Sequence, residues 1–368
     1  MPRLRRSDCS SSGIKRVGRG RGFSYLDAHG DAIDEPEVVE RVRALGIPPA
    51  WKDVWICPFP NGHIQATGVD AAGRKQYVYH ADWRRRRDAE KFDEMLSFAR
   101  ALSALRERVQ ADLQPSGDDR SARGRNAAGR KDGLTRERVL ACAVRLLDRG
   151  FFRIGTEEYT VANESFGLAT MRKSHVTVED GGTMVFDYPA KSGKRRVQAM
   201  VDPLVVDIIA QLKRRRGGGD ELLAFKVGRR WQDVKSDEIN VYLKEVTGAG
   251  YSAKDFRTWN ATVLAAVALA VAGEVAGSPS GRKRAISRAV KEVAHYLGNT
   301  PTVARASYID PRVFDAYEGG LIIRPALEQA GDMPEGELTI HHRAVEEAVL
   351  DLIDDRGSAA PGIEKLAA

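Results

Sequence analysis

The chain has 368 residues, 42% hydrophobic and 30% charged, a balance that fits folded domains with apolar cores and excludes a low-complexity chain. Its formal net charge is +7, and from Gly331 onward nine acidic side chains face three basic ones, so the rest is more basic still and favours a polyanionic partner, nucleic acid before anionic membrane. Cys9, Cys57 and Cys142 are scattered and form no CxxC pair, the basic N-terminus lacks the apolar stretch of a secretory signal, and no run reaches the ~18 apolar residues of a membrane span; a cytoplasmic protein with neither disulfide framework nor zinc site is expected.

Residues 1–20 are basic and rich in Ser and Gly, the composition of a mobile arm. The stretches 23–33 and 54–79 alternate apolar and polar residues between Gly, Asn and Asp turns, as short antiparallel strands do. Between them EPEVVERVRAL, residues 35–45, reads as a helix. A small β-rich domain is expected over 1–88, and a second domain over 89–368. The second opens with a helix over about 89–113, followed by PSGDDRSARGRNAAGRKDG (115–133), almost without apolar content and predicted to be a disordered insertion. Helices are predicted at 134–148, 157–165, 203–216, 236–247, 255–273, 284–297, 301–307 and 341–354. One strand pair, MVFDY (184–188) and RRVQAMV (195–201), interrupts them, and residues 331–368 read as an acidic C-terminal tail. The fold class is α+β, a β-rich unit followed by a mainly helical one with a small hairpin sheet. The runs Arg84–Arg87 and Lys213–Arg216 suit either a solvated face or non-specific contact with a nucleic-acid backbone.

The chemistry centres on VKEVAHYLGNTPTVARASYIDP, residues 290–311. Gly298 sits where a helix C′ glycine belongs, Thr300 can cap a new helix, and Pro301 fits its first position. In that short helix Arg305 and Tyr308 share a face, placing a phenol beside a guanidinium. Arg153 follows the apolar pair Phe151-Phe152, and Arg257 lies early in a helix whose remaining face is apolar. Half-hidden guanidinia need anionic partners, either carboxylates in buried salt bridges or a phosphate. Lys191 sits on the predicted hairpin turn, and Asn299 offers an amide that either caps the adjoining helix or donates to a ligand.

Together Tyr308, Arg153, Arg257, Lys191 and Asn299 match the needs of tyrosine attack on a phosphodiester. Charge builds on the non-bridging oxygens, where two guanidinia and an amide can hold it. The departing 5′ oxygen needs a proton, which a positioned lysine can give, for about 10²–10⁴-fold in rate. No clustered carboxylates of the two-metal kind appear, and no cofactor is called for.

The order Arg153, Lys191, KDFR with Arg257, GNTP with Asn299, then Tyr308 resembles the catalytic order of type IB DNA topoisomerases, the poxvirus-like bacterial branch most closely. IPPAWKDVWICPFPNGHIQATGVDAAGRKQYVYH (47–80) is similar to the N-terminal DNA-clamp domain of that family, and IGTEEYTVANESFGLATMRKSHV (154–176) to the opening of its catalytic domain. The resemblance implies that Tyr308 forms a 3′-phosphotyrosyl link to one strand of duplex DNA. It implies further that Arg153 and Arg257 stabilise the phosphorane, that Lys191 is the general acid, and that the cut strand rotates and reseals without ATP or metal. Asn299 stands where poxvirus relatives carry histidine, so a neutral donor replaces a cation there. In GRKQYVYH, Gln76, Tyr77 and Tyr79 match positions that face the major groove, while Arg74 and Lys75 suit phosphates. On an ideal strand Gln76 points away from the two tyrosines, so a bend is required for all three to read one groove. Lys254 joins the DNA contacts. The partner implied is double-stranded DNA, closed around by a monomer in a nucleoid-associated setting, with no membrane.

Two other readings use the same residues. A site-specific tyrosine recombinase shares the catalytic arrangement, but usually has histidine three residues before the second arginine, where Lys254 stands, and lacks the clamp. A non-catalytic DNA-binding protein could keep the fold, with Asn299 the one feature leaning that way.

Overall fold

In the computed structural model the chain divides into two units, residues 1–93 and 94–368. Residues 3–20, 22–114, 133–273, 278–331, 339–354 and 360–366 are described.

The first unit is built on five antiparallel strands, β1 (Ile14–Arg19), β2 (Gly22–Leu26), β3 (Lys52–Ile56), β4 (Ile64–Val69) and β5 (Lys75–Tyr79), in the order β2-β1-β3-β4-β5. Helix α1 (Pro36–Ala44) starts on its proline and lays Val38, Val39 and Val42 against Ile14, Tyr25, Val54, Ile56 and Ala66. Each such side chain contributes roughly 1.5–3 kcal/mol when fully buried. Residues 14–19 do not belong to a mobile arm. They form β1, paired with β2 from Lys15↔Leu26 to Arg19↔Gly22 and with β3 through Ile14 and Lys15. Upstream of β1, the Ser7 amide donates to His63 Nδ1 and its hydroxyl to the Ile64 carbonyl, both at 2.8 Å. In IKRVGR only Ile14 is buried, so backbone ladders rather than an apolar period hold the strand, and no side-chain pattern announced it.

Helix α2 (Ala81–Leu113) begins eight residues before its expected start at 89. Its first turns hold the exposed Arg84–Arg87 run, where Arg85 pairs with Asp82 and Arg87 with Glu90. Arginine is a good helix former, but without apolar neighbours it shows no periodicity. The predicted insertion lies, over 115–132, outside the described residues.

The second unit is mainly helical: α3 (Arg136–Gly150), α4 (Glu157–Asn163), α5 (Val206–Arg214), α6 (Ser236–Thr247), α7 (Ala253–Ala272), α8 (Pro279–Leu297), α9 (Pro301–Ser307), α10 (Pro311–Glu318), α11 (Arg324–Gln329) and α12 (Arg343–Ile353). Helix α7 is its axis. Every residue from Phe256 to Ala266 is buried, as expected of a helix apolar on all sides. Sheet structure exceeds the single hairpin anticipated. Strands β6 (Val176–Val178), β7 (Thr183–Pro189) and β8 (Arg195–Val201) form a three-stranded antiparallel sheet, while β9 (Ala224–Val227) pairs with β10 (Arg230–Asp233) and β11 (Leu321–Ile322) with β12 (Glu364–Lys365). Elements of two to four residues are too short to display an alternation.

The acidic region past Gly331 is not simply a tail. Helix α12 buries Val345, Val349 and Leu352, and its Glu346 enters a buried network. Arg106 of α2 forks onto Asp148 at 2.9 Å through Nε and Nη2, and onto Glu346 through Nη1 at 2.5 Å and Nη2 at 2.9 Å. Trp259 Nε1 donates to Glu346 at 3.0 Å. Burial pushes the Asp148 carboxyl up, but Arg106 outweighs it and holds the group below the usual carboxylate range. Glu346→Leu, which strands one face of Arg106 and the Trp259 N–H, is expected to destabilise the unit by about 3 kcal/mol. A urea unfolding midpoint shifted by that amount with an unchanged slope checks this, and an unshifted midpoint removes α12 from the core.

Candidate active site

Three helix ends meet at the site. Helix α3 ends at Gly150, and Phe151 follows in the left-handed region with φ 53°. A Cβ at Gly150 would lie 2.3 Å from the Phe152 ring, so the turn requires glycine. Phe151 and Phe152 bury themselves, Phe152 edge-on to Phe186 at 4.8 Å, and Arg153 emerges half-buried. Helix α8 ends at Leu297, with Gly298 at φ 62°. Thr300 caps α9 by accepting from the Val303 amide at 3.4 Å, and Tyr308 is the residue on which α9 stops.

Arg257, on the second turn of α7 and 4% exposed, donates through Nη1 to the Phe151 carbonyl at 2.5 Å and through Nη2 to the Leu297 carbonyl at 2.9 Å. Arg153 donates to the Gly298 carbonyl at 3.1 Å and to Asn299 Oδ1. A third guanidinium, Arg196 of β8, reaches the Tyr296 carbonyl at 2.6 Å. Three cations from three elements therefore grip the consecutive carbonyls 296, 297 and 298. None of them has a carboxylate partner among the described residues. Arg257 Nε and Asn299 Nδ2 are buried donors outside ordinary hydrogen-bonding distance of any acceptor, yet both side chains lie close enough to the Tyr308 phenol to favour its anion.

The Tyr308 ring lies 5.4 Å from the Arg257 guanidinium. Burial pushes the phenol pKa up, but the charges of Arg257 and Arg153, with the polar side chains of Arg257 and Asn299 close by, outweigh it and hold the pKa below the ordinary tyrosine value. Desolvation first, and then repulsion from Arg153, lowers the Arg257 pKa in turn. The backbone just past Tyr308 is fixed from α7: Thr262 Oγ1, whose proton goes to the Thr258 carbonyl at 2.9 Å, accepts from the Asp310 amide at 3.1 Å and lies 3.3 Å from the Tyr308 carbonyl. One helix thus sets both the guanidinium and the phenol.

A cavity of about 260 Å³ is lined by Tyr308, Arg257, Arg153, Lys191, Lys254 and Tyr159, among others. It shares Arg153, Lys191 and Arg257 with a larger cavity of about 660 Å³ that Arg196 also lines. Lys191 stands exposed on the β7–β8 turn, its Nζ 5.9 Å from the Tyr159 ring. Arg305 does not sit beside the phenol as its spacing suggested. Its guanidinium covers the Phe314 ring at 4.7 Å, and Arg257 takes that place.

In the first unit Tyr77 and Tyr79 share the outward face of β5, their rings stacked at 6.0 Å, with Lys75 Nζ 5.8 Å from Tyr77. Gln76 points to the opposite face and donates to Asp70 Oδ2 at 2.9 Å, the carboxylate that Arg74 also holds at 2.8 Å. The bend that would bring Gln76 alongside the tyrosines is missing. The register irregularity lies in β4, between Ile64 and Ala66, and leaves the alternation of β5 intact.

Comparison with known proteins accords with this geometry. Residues 80–319 match the family described as eukaryotic DNA topoisomerase I, catalytic core, and residues 22–70 match the bacterial DNA topoisomerase IB N-terminal domain. The chain belongs to the type IB DNA topoisomerase family. It is 27% identical over 313 residues to DNA topoisomerase 1B of Acanthamoeba polyphaga mimivirus, covering 83% of this chain and 88% of that relative. Shorter matches reach DNA topoisomerase 1 of Daucus carota (29% over 143 residues; 38% of this chain, 17% of the relative) and of Schizosaccharomyces pombe (31% over 140 residues; 38% and 16%).

Arg196 and Thr262 escaped the sequence reading of this topoisomerase. The half-buried face of β8 carries Arg196, Gln198 and Met200, while Val197 is 58% exposed, the reverse of an ordinary amphipathic strand. Thr262 had a faint signal, a hydroxyl in an otherwise apolar run. An ultraviolet difference titration of wild type against Tyr308→Phe isolates the Tyr308 phenolate. Its midpoint is expected below that of an exposed tyrosine and should rise in Arg153→Ala, because removing a cation withdraws support from the anion. An unchanged midpoint in that variant would show the two groups to be uncoupled.

Proposed function

We propose that this member of the type IB DNA topoisomerase family relaxes supercoiled duplex DNA through a 3′-phosphotyrosyl intermediate, with Tyr308 as nucleophile. The observation that carries this reading is the phenol of Tyr308 held among the Arg257, Arg153 and Asn299 side chains, in a cavity lined by no carboxylate among the described residues. Cations and an amide donor that favour the phenolate also suit the anionic oxygens of a phosphodiester.

The Tyr308 oxygen attacks phosphorus, its proton passes to solvent, and the bond from phosphorus to the 5′ oxygen breaks as the phosphotyrosyl bond forms. Lys191 gives its proton to the departing 5′ oxygen. Arg153, Arg257 and Asn299 hold the non-bridging oxygens as charge builds there, the type of preorganised stabilisation in which one donor is worth about 10²–10³-fold. The freed end rotates about the intact strand, and the 5′ hydroxyl attacks back with the proton movements reversed. The phosphodiester energy is kept in the covalent link, so the cycle calls for neither ATP nor metal. Tyr77, Tyr79 and Lys75 offer an aromatic and cationic face to duplex DNA, with Arg74 and Lys254 as further phosphate contacts. Gln76, engaged by Asp70, reads a base only after leaving that carboxylate. The active form is a monomer that closes around the duplex.

Incubation with supercoiled plasmid in EDTA, without ATP, tests this reading. The wild type should relax both positive and negative supercoils, and Tyr308→Phe should bind DNA but leave it supercoiled. Relaxation by the variant removes Tyr308 from the role, and wild-type binding without relaxation defeats the mechanism. Lys191→Ala should slow cleavage strongly on ordinary DNA and much less when sulfur replaces the 5′ leaving oxygen, since a good leaving group needs no acid. Equal slowing on both substrates refutes the acid assignment.

A further inference from the structure

We propose that Arg196 is a positioning residue for cleavage: it latches the hairpin bearing Lys191 to the C-terminus of α8 and so sets where the general acid stands. The proposal rests on the reading of Lys191 as that acid. Lys191 is exposed, so its place depends on the hairpin beneath it. The turn is closed by Ala190 N to the Lys194 carbonyl at 2.8 Å and Gly193 N to the Ala190 carbonyl at 3.0 Å, with Ser192 held at φ 66°. The ladder resumes at once, with Pro189 opposite Arg195 and Tyr188 opposite Arg196. Any shift of β8 at Arg196 is therefore carried directly to Lys191.

The ladder ties β8 to β7 along its length, and on the outward face Arg195 forks onto Asp187 of β7, but both bonds act within the hairpin. The strand lies at the edge of the order β6-β7-β8 and pairs on one side only. Polar bonds from the inward face are what join this hairpin to the helix ends. Arg196 Nη2 donates to the Tyr296 carbonyl at 2.6 Å; Nε and Nη2 donate to Gln198 Oε1 at 3.2 and 3.0 Å; and Gln198 Nε2 donates to the Gly150 carbonyl. One guanidinium–amide pair thus bolts the hairpin to the ends of α8 and α3, the two ends that frame Tyr308 and Arg153. A planar fork is required, because a lysine ammonium lacks the fixed geometry to hold the strand amide and the helix carbonyl together.

Cleavage under single-turnover conditions, on a duplex whose short 5′ fragment leaves after the cut, tests the latch in Arg196→Lys and Gln198→Leu. The first keeps the charge and loses the fork, and the second keeps the guanidinium itself. Each is expected to cleave ordinary DNA about 10- to 100-fold more slowly, the scale on which small displacements of catalytic groups act. Each should cleave the sulfur-substituted substrate at close to the wild-type rate. Unchanged cleavage of ordinary DNA, or equal slowing on both substrates while Lys191→Ala alone is rescued by sulfur, overturns the latch and leaves the acid in place. Failure of sulfur to rescue Lys191→Ala overturns the acid assignment, and the latch with it.

Discussion

The site depends on the C-terminus of α8, where three guanidinia share the carbonyls of Tyr296, Leu297 and Gly298. The last carbonyls of a helix have no partners within it and carry the negative end of its dipole. They can therefore hold cations without neutralising them. Carboxylates in the same places would hold the arginines as firmly, but would cancel the positive potential and repel a phosphodiester. Using carbonyls keeps Arg153, Arg196 and Arg257 in place with their charge uncancelled. Burial first, and then the repulsion of Arg153 and Arg196, lowers the Arg257 pKa as part of the same arrangement.

Stability and chemistry are divided between the two ends of α7. Toward its N-terminus lie Lys254 and Arg257, which face the smaller cavity. From Thr258 to Ala266 the helix is buried on all sides, and Trp259 and Asn260 fix it to α12 and α3 through Glu346 and the Asp148 carbonyl. Thr262 sits where these roles join, giving its proton to the Thr258 carbonyl of its own helix and accepting from the Asp310 amide. A rigid helix thus sets the separation between guanidinium and phenol, and the short α9 only has to deliver Tyr308 to that point.

Much of this was legible from residues alone, and the misses have common causes. The helix stop at Gly298 and restart at Thr300-Pro301 were readable because capping is local chemistry, and α9 occupies the span its caps predicted. Strand β8 was readable in extent but not in facing: an alternation states a period, and only the neighbouring helix ends decide that Arg196 and Gln198 turn inward. Arg305 misled because helical spacing places two side chains on one face without saying which neighbour draws each. Phe314, from the next helix, takes the Arg305 guanidinium, while Arg257, 51 positions before Tyr308 in the chain, takes its place. Strand β1 and the start of α2 carry too little apolar pattern to be seen. Their ladders and turns depend on backbone bonds that composition does not encode.

Asn299 shows how tertiary contact gives a residue a definite chemical sense. An amide has an acceptor end and a donor end, and either can face a ligand. Arg153 is donor-only, so its bond to Asn299 requires the oxygen to turn toward the guanidinium. The Nδ2 end is thereby turned toward the Tyr308 phenol, whose anion it favours. The residue then offers an oriented neutral N–H, set by a cation that lines the cavity. A protonated histidine in this place could not accept from Arg153 and would add a fourth positive charge beside three that already repel. With asparagine, the cluster keeps a directed neutral donor at no further electrostatic strain.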